Sequence, residues 1–154
     1  MYEYWDGDGW ADLDMMEPVD DTVGLFIGSG AWYVSSSPKS ITIAGEVKKG
    51  FHIHTFTDPL SIVASAFPMD FCPNSANVSW GCSDGTQIQV PFTEAASGLT
   101  KLKMYEYWDG DGWADLDLME PIDAGCAITT AGKGFWFVTS DPASTSFTEV
   151  GPLE

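Results

Sequence analysis

The chain has 154 residues, with 6 basic against 23 acidic side chains and a net charge of −17. That length is enough to bury a core, and that charge repels phosphate backbones and anionic membrane surfaces, which excludes nucleic-acid binding as a function. No segment approaches the ~18 apolar residues of a membrane span, and the first residues carry neither a basic region nor an apolar stretch, so no signal peptide is expected.

Gly, Ser, Thr and Pro punctuate the chain every ten or so residues, and strong helix formers are sparse, which predicts an all-β fold. In chain order, YEYW (2–5) alternates in the manner of a strand. DGDG (6–9) is a turn signal, because Gly accepts positive φ. WADLD (10–14) alternates again. VGLFI (23–27), AWYV (31–34) and ITIAGEV (41–47) read as further strands, the last two split by SSSPKS. FHIHTFT (51–57) is a strong alternating strand, with Phe51, Ile53 and Thr55 expected inward and His52 and His54 on the solvated face. LSIVASAF (60–67) follows, then the proline-held loop FPMDFCPNS (67–75), then VSW (78–80) and TQIQVPF (86–92). TEAASG (93–98) is the one helical candidate. After the motif of residues 2–14 returns, CAITT (126–130), GFWFV (134–138) and TSFTEV (145–150) complete the pattern.

That return is the dominant feature. Residues 1–21 and 104–124 differ only at Met15/Leu118, Val19/Ile122 and Asp21/Ala124. The match continues more loosely, with GSGAWYVSSSPKSIT (28–42) facing GKGFWFVTSDPASTS (132–146). The layout is A–B–A′ within one domain of 1–154: A is 1–47, B is 48–103 and A′ is 104–154. Repeats of this kind stack similar units on a common core. The expected fold is a β-sandwich or small barrel with internal duplication. A β-trefoil is the alternative, weakened because B shows no copy of the A motif.

Two readings compete for DGDG. An oxygen-rich loop suggests calcium, with Asp6, Asp8 and Asp12 as ligands, and Asp109, Asp111 and Asp115 in the second copy. With Gly9 at the sixth position, however, Tyr4 and Met15 fall where the first and last ligands belong. The turn reading accounts for more residues: two aromatic hairpins, with Trp5 and Trp10 stacking across the first. The exposed aromatic candidates for interaction are therefore Tyr4, Trp5, Trp10, Tyr107, Trp108 and Trp113. No catalytic residue emerges. With 23 acids a carboxylate pair carries no specificity, and no nucleophile elbow or phosphate-cradling loop is present. Cys72 and Cys82 flank a turn and are spaced to pair across it. Cys126, on an apolar run, is expected to be a buried thiol.

Tyr105–Trp108, Gly112-Trp113, Gly132–Val138 and Glu149-Val150, preceded by Gly50-Phe51 and Ala64–Pro68, form the pattern YxYW…GW…GxGFWFV…EV. It resembles the tandem aromatic and glycine-rich β-repeat modules of bacterial surface or secreted proteins. The resemblance covers about half the chain and implies a non-catalytic structural or adhesive role.

The expected function is thus a non-enzymatic structural protein that assembles with itself or decorates a larger particle such as a surface layer, filament or virion. Its partners are then copies of itself or a larger protein assembly, at an extracellular, surface or virion location. A carbohydrate-binding or adhesion module, with calcium as the one candidate cofactor, is the alternative.

Overall fold

A computed structural model describes residues 2–5, 9–20, 27–31, 33–35, 37 and 48–152, with only the backbone at 2–5. The first turn with Asp6 and Asp8, Trp32, and the strands expected at 41–47 and over most of 23–27 lie outside the described residues.

The chain is all-β. Its strands are β1 (Tyr2–Trp5), β2 (Gly9–Asp12), β3 (Glu17–Pro18), β4 (Phe51–Thr55), β5 (Leu60–Ala64), β6 (Val78–Gly81), β7 (Gln87–Thr93), β8 (Thr100–Trp108), β9 (Gly112–Asp115), β10 (Glu120–Pro121), β11 (Gly134–Val138) and β12 (Ser146–Val150). They form three antiparallel sheets, ordered β1-β2-β3, β10-β9-β8-β7-β11-β5 and β4-β12-β6. None closes into a barrel, so the open sandwich is the form adopted. Among the described residues the only helix is a 3-10 turn at Pro142–Ser144. The candidate at 93–98 is instead a tight connection, with the Gly98 amide donating to Glu94 O at 2.8 Å.

The six-stranded sheet faces β4-β12-β6 across an aromatic core. Alternation along β11 sends Phe135 and Phe137 inward. Phe137 stacks on Phe56 at 4.3 Å and lies 6.0 Å from Trp80 and 6.2 Å from Phe147, rings carried by the opposite sheet. Trp80 in turn meets Trp113 edge-on at 4.7 Å. Ring pairs at these spacings add to the area they bury.

Among the described residues, a short pairing joins the A segment to this body. The Gly30 amide donates to Ile62 O at 3.0 Å, and the Ala64 amide donates to Gly28 O at 2.9 Å. Residues 28–30 thereby extend the edge of β5 opposite β11. Gly28 has φ +82°, and a Cβ there would lie 2.4 Å from the His54 ring, so no other residue fits without displacement.

The expected orientation of β4 is reversed. Phe51 and Ile53 are 63% and 51% exposed, whereas His54 is buried. The neighbouring strand explains the inversion. Phe147 on β12 is a core ring, and Glu149 shares its face two residues on. A buried carboxylate requires donors. His54 supplies one through Nε2 at 2.7 Å, and its ring stacks on Phe147 at 3.9 Å. The histidines therefore face inward, and the apolar residues between them face out.

Candidate interaction surface

The strands of the two hairpins pair in the same register. Tyr4 stands opposite Trp10 and Tyr107 opposite Trp113; Ala11 pairs with Pro18 and Ala114 with Pro121. In the second copy the loop is Asp109-Gly110-Asp111, closed by the Asp111 amide on Trp108 O at 3.1 Å, with Gly110 at φ +90° and Gly112 at φ +80°. Three loop residues place Trp108 opposite Gly112. The cross-strand aromatic pair in this copy is therefore Tyr107–Trp113, edge-on at 5.7 Å, and not a Trp–Trp stack of the kind expected of Trp5 and Trp10 in the first. Proline in β3 and β10 sits at a sheet edge, where its missing N–H removes no ladder bond.

Beyond the second strand each copy makes the same hooked turn. Asp12 Oδ1 accepts from the Asp14 amide and Asp115 Oδ1 from the Asp117 amide, both at 2.9 Å. The Met16 amide donates to Asp12 O and the Met119 amide to Asp115 O, both at 2.7 Å. The hook forces Met16 and Met119 to φ +55° and +56°, a left-handed conformation that β-carbon crowding disfavours. At its crest Met15, Met16, Leu118 and Met119 are 67%, 66%, 65% and 65% exposed. These four side chains were not among the residues singled out from the sequence. The available signal was an apolar pair lodged between DLD and EP in both copies.

The aromatic candidates separate. Trp10 is 46% exposed, whereas Trp113 is fully buried in the core. Trp113 is thus a packing residue and not part of an exposed surface. Tyr107 and Trp108 are half-buried. Of Tyr4 and Trp5 only the strand positions are described.

Among the described residues, the candidate calcium ligands Asp12, Asp109, Asp111 and Asp115 do not gather into one group. Asp115 Oδ2 lies 2.9 Å from Lys103 Nζ, and Asp117 Oδ2 lies at the same distance. Those two carboxylates hold the Lys103 ammonium well above its ordinary pKa. Asp109 and Asp111 are exposed on the loop, where the Asp109 amide donates to Asp84 Oδ1 at 3.1 Å. Asp12 caps its own turn. No group of three or more His, Cys, Asp or Glu suited to a metal ion occurs among the described residues.

A polar centre lies beneath the A–body junction. Glu149 accepts from His54 Nε2 at 2.7 Å, Ser65 Oγ at 2.8 Å and the Ala66 amide at 2.8 Å. Burial raises its pKa, but these three donors outweigh that effect and hold the carboxyl below the usual range. His52 bonds Lys48 Nζ at 2.7 Å through Nδ1. Burial, then the charges of His54 and Lys48, hold its ring below the ordinary histidine value. Ser65 bonds the carboxylate and not the imidazole, so this is not a nucleophile–base pair.

The three cysteines are free thiols. Cys82 and Cys72 are half-buried, and Cys126 is exposed because it follows the Asp123–Cys126 turn and not a strand. On the outer face of the large sheet, Ala31, Ile62, Val90, Phe92, Gly134 and Trp136 help line an open groove of about 440 Å³.

Compared with known proteins, the chain matches no family model, and no curated protein or solved structure is significantly similar to it.

Proposed function

We propose that this is a non-catalytic structural protein that works by assembly, with copies of itself or on a larger particle, and that its paired hairpins make the contacts. The carrying observation is the duplicated crest: Met15-Met16 and Leu118-Met119, equally exposed on equally strained backbone. Strain at an exposed apolar residue gives the isolated chain nothing. Burial against a partner would recover about 1.5–3 kcal/mol for each such side chain. The net charge of −17 keeps free subunits apart until specific contacts form. Two crests of the same shape would give each subunit two similar attachment points.

The test uses the strain itself. Replacing Met16 and Met119 together with Gly should raise stability by about 1 kcal/mol per site, because Gly accepts positive φ at no steric cost. The same change should lower the assembled fraction in light scattering. A variant that assembles like the parent would show that the crests make no contact.

The groove beside Trp136 favours a second reading, a carbohydrate-binding or adhesion module. An aromatic face in a concavity of this size suits a sugar ring. That reading expects a monomer whose tryptophan emission shifts on adding neutral oligosaccharides.

A further inference from the structure

The loop that leads into β6 is stitched to the segment that leaves β10. The Ala131 amide donates to Asp70 Oδ1 at 2.9 Å. The Phe71 amide donates to Thr129 O, and the Ile128 amide to Phe71 O, both at 2.9 Å. Asn74 Nδ2 donates to Ile122 O at 2.8 Å and to Trp113 O at 2.9 Å, and its Oδ1 accepts from the Trp113 amide at 2.9 Å. Residues 70–74 of B therefore run antiparallel to residues 122–131 of A′, held at nearly every step.

Two cysteines fall inside that stretch. The Cys72 thiol donates to Ala124 O at 3.1 Å and lies 3.7 Å from Asp123 O. Those carbonyls belong to the turn that the Cys126 amide closes on Asp123 O at 2.9 Å. Cys126 is thus bracketed between Ala124, which meets Cys72, and Ile128, which meets Phe71. Its amide also faces the Cys72 sulfur, and the charge of its thiolate is felt there. A disulfide needs Cβ atoms about 3.8 Å apart. Only Cα separates the Cys126 amide from its Cβ, so a sulfur beside that amide is within side-chain reach. Cys82 stands apart from this pair: its thiol lies beside the Thr86 hydroxyl, and burial pushes its pKa to about 12, which leaves little thiolate to compete.

We infer that Cys72 and Cys126 are a built disulfide site, closed by a low-molecular-weight disulfide, that pins the 70–74 loop of B to A′. The exposed Cys126 thiolate attacks one sulfur of the oxidant, forms a mixed disulfide and expels one thiolate. Cys72 then attacks Cys126 Sγ and expels the second. The two protein thiols give up two electrons and two protons, and the oxidant leaves as two thiols. The bond fixes the loop that carries Asn74, and with it the hydrogen bonds that hold Trp113 in the core. It persists in an oxidising compartment and stays open in a reducing one. The pairing differs from the Cys72–Cys82 bridge that spacing suggests, and it does not depend on the assembly reading.

The test equilibrates the dilute, intact chain with a mixture of oxidised and reduced glutathione at pH 8. The exchange is quenched with acid, and the remaining thiols are alkylated in denaturant. Cleavage after Trp80 separates Cys72 from Cys82 for mass analysis. The expected result is one alkylated thiol in each chain, at Cys82, with the Cys72 and Cys126 peptides linked. Repeating the equilibration in concentrated urea should lower the ratio of linked to open chains by about a hundredfold, because only the fold holds the two sulfurs together. Three alkylated thiols, a glutathione retained on Cys126, a bond to Cys82 or a link between two chains overturns the inference. So does a ratio that is the same in the folded and the unfolded chain, since the fold would then contribute nothing to the pairing.

Discussion

At Glu149 a single buried carboxylate organises three segments, and its loss should be felt throughout. Glu149→Ala would leave His54, Ser65 Oγ and the Ala66 amide without their acceptor, at about 3–5 kcal/mol by urea denaturation, the usual consequence of removing one side of a buried pair. The pH dependence follows from two depressed values. His52 titrates below its ordinary 6.5 in the fold, so the unfolded chain takes up that proton first. Stability from the neutral ring is complete above about pH 6.5 and declines as pH falls from there through the folded value. Glu149 adds a second loss below its ordinary 4.5, as pH falls through the folded value of the carboxyl. Urea midpoints measured from pH 8 to 2 should show both declines, and His52→Gln should flatten the first. The thiols offer an independent check. Burial pushes Cys82 to about 12 and raises Cys72, whereas Cys126 is exposed. A pulse of iodoacetamide at pH 8 should label Cys126 first and Cys82 last.

The hairpin shows how one strand sequence serves two environments. Its register is carried locally, by the Gly-rich loop, the Asp cap and the edge proline, and is the same in both copies. Its burial depends on what packs above it. Trp113→Ala should cost about 3–5 kcal/mol as a cavity in the core, and Trp10→Ala less than roughly half of that, since nearly half of the ring is already in water. Changing both tryptophans would therefore confuse assembly with folding, whereas the exposed crest residues separate the two. Much of this was legible in the sequence: the repeated hairpin and the strands at β4, β5, β6, β7, β11 and β12. The faces were less so. Alternation in FHIHT is equally consistent with either side inward, and the decision came from Glu149, 95 residues from His54. Nor does periodicity distinguish a core Trp from a surface Trp when both lie in the same fourteen letters. In the second copy the burial comes from Asn74, Trp80 and β7, which pack on it from distant parts of the sequence.

Across the whole molecule, an acidic sandwich carries two like crests. The surface adds a further apolar row, with Phe51 paired to Val150 and Ile53 nearby on β4, all about half exposed or more. A solitary soluble subunit has little use for these features, and an assembling one buries them. Light scattering of the intact chain tests that account most directly, measured once in EDTA and once in millimolar calcium. The account predicts a defined oligomer of the same mass in both, since it routes association through the proposed apolar crests and not through a bound ion. A monomer in both conditions would contradict it and favour the binding-module reading. An oligomer seen only with calcium would contradict it as well, and would assign assembly to the Asp-rich loops.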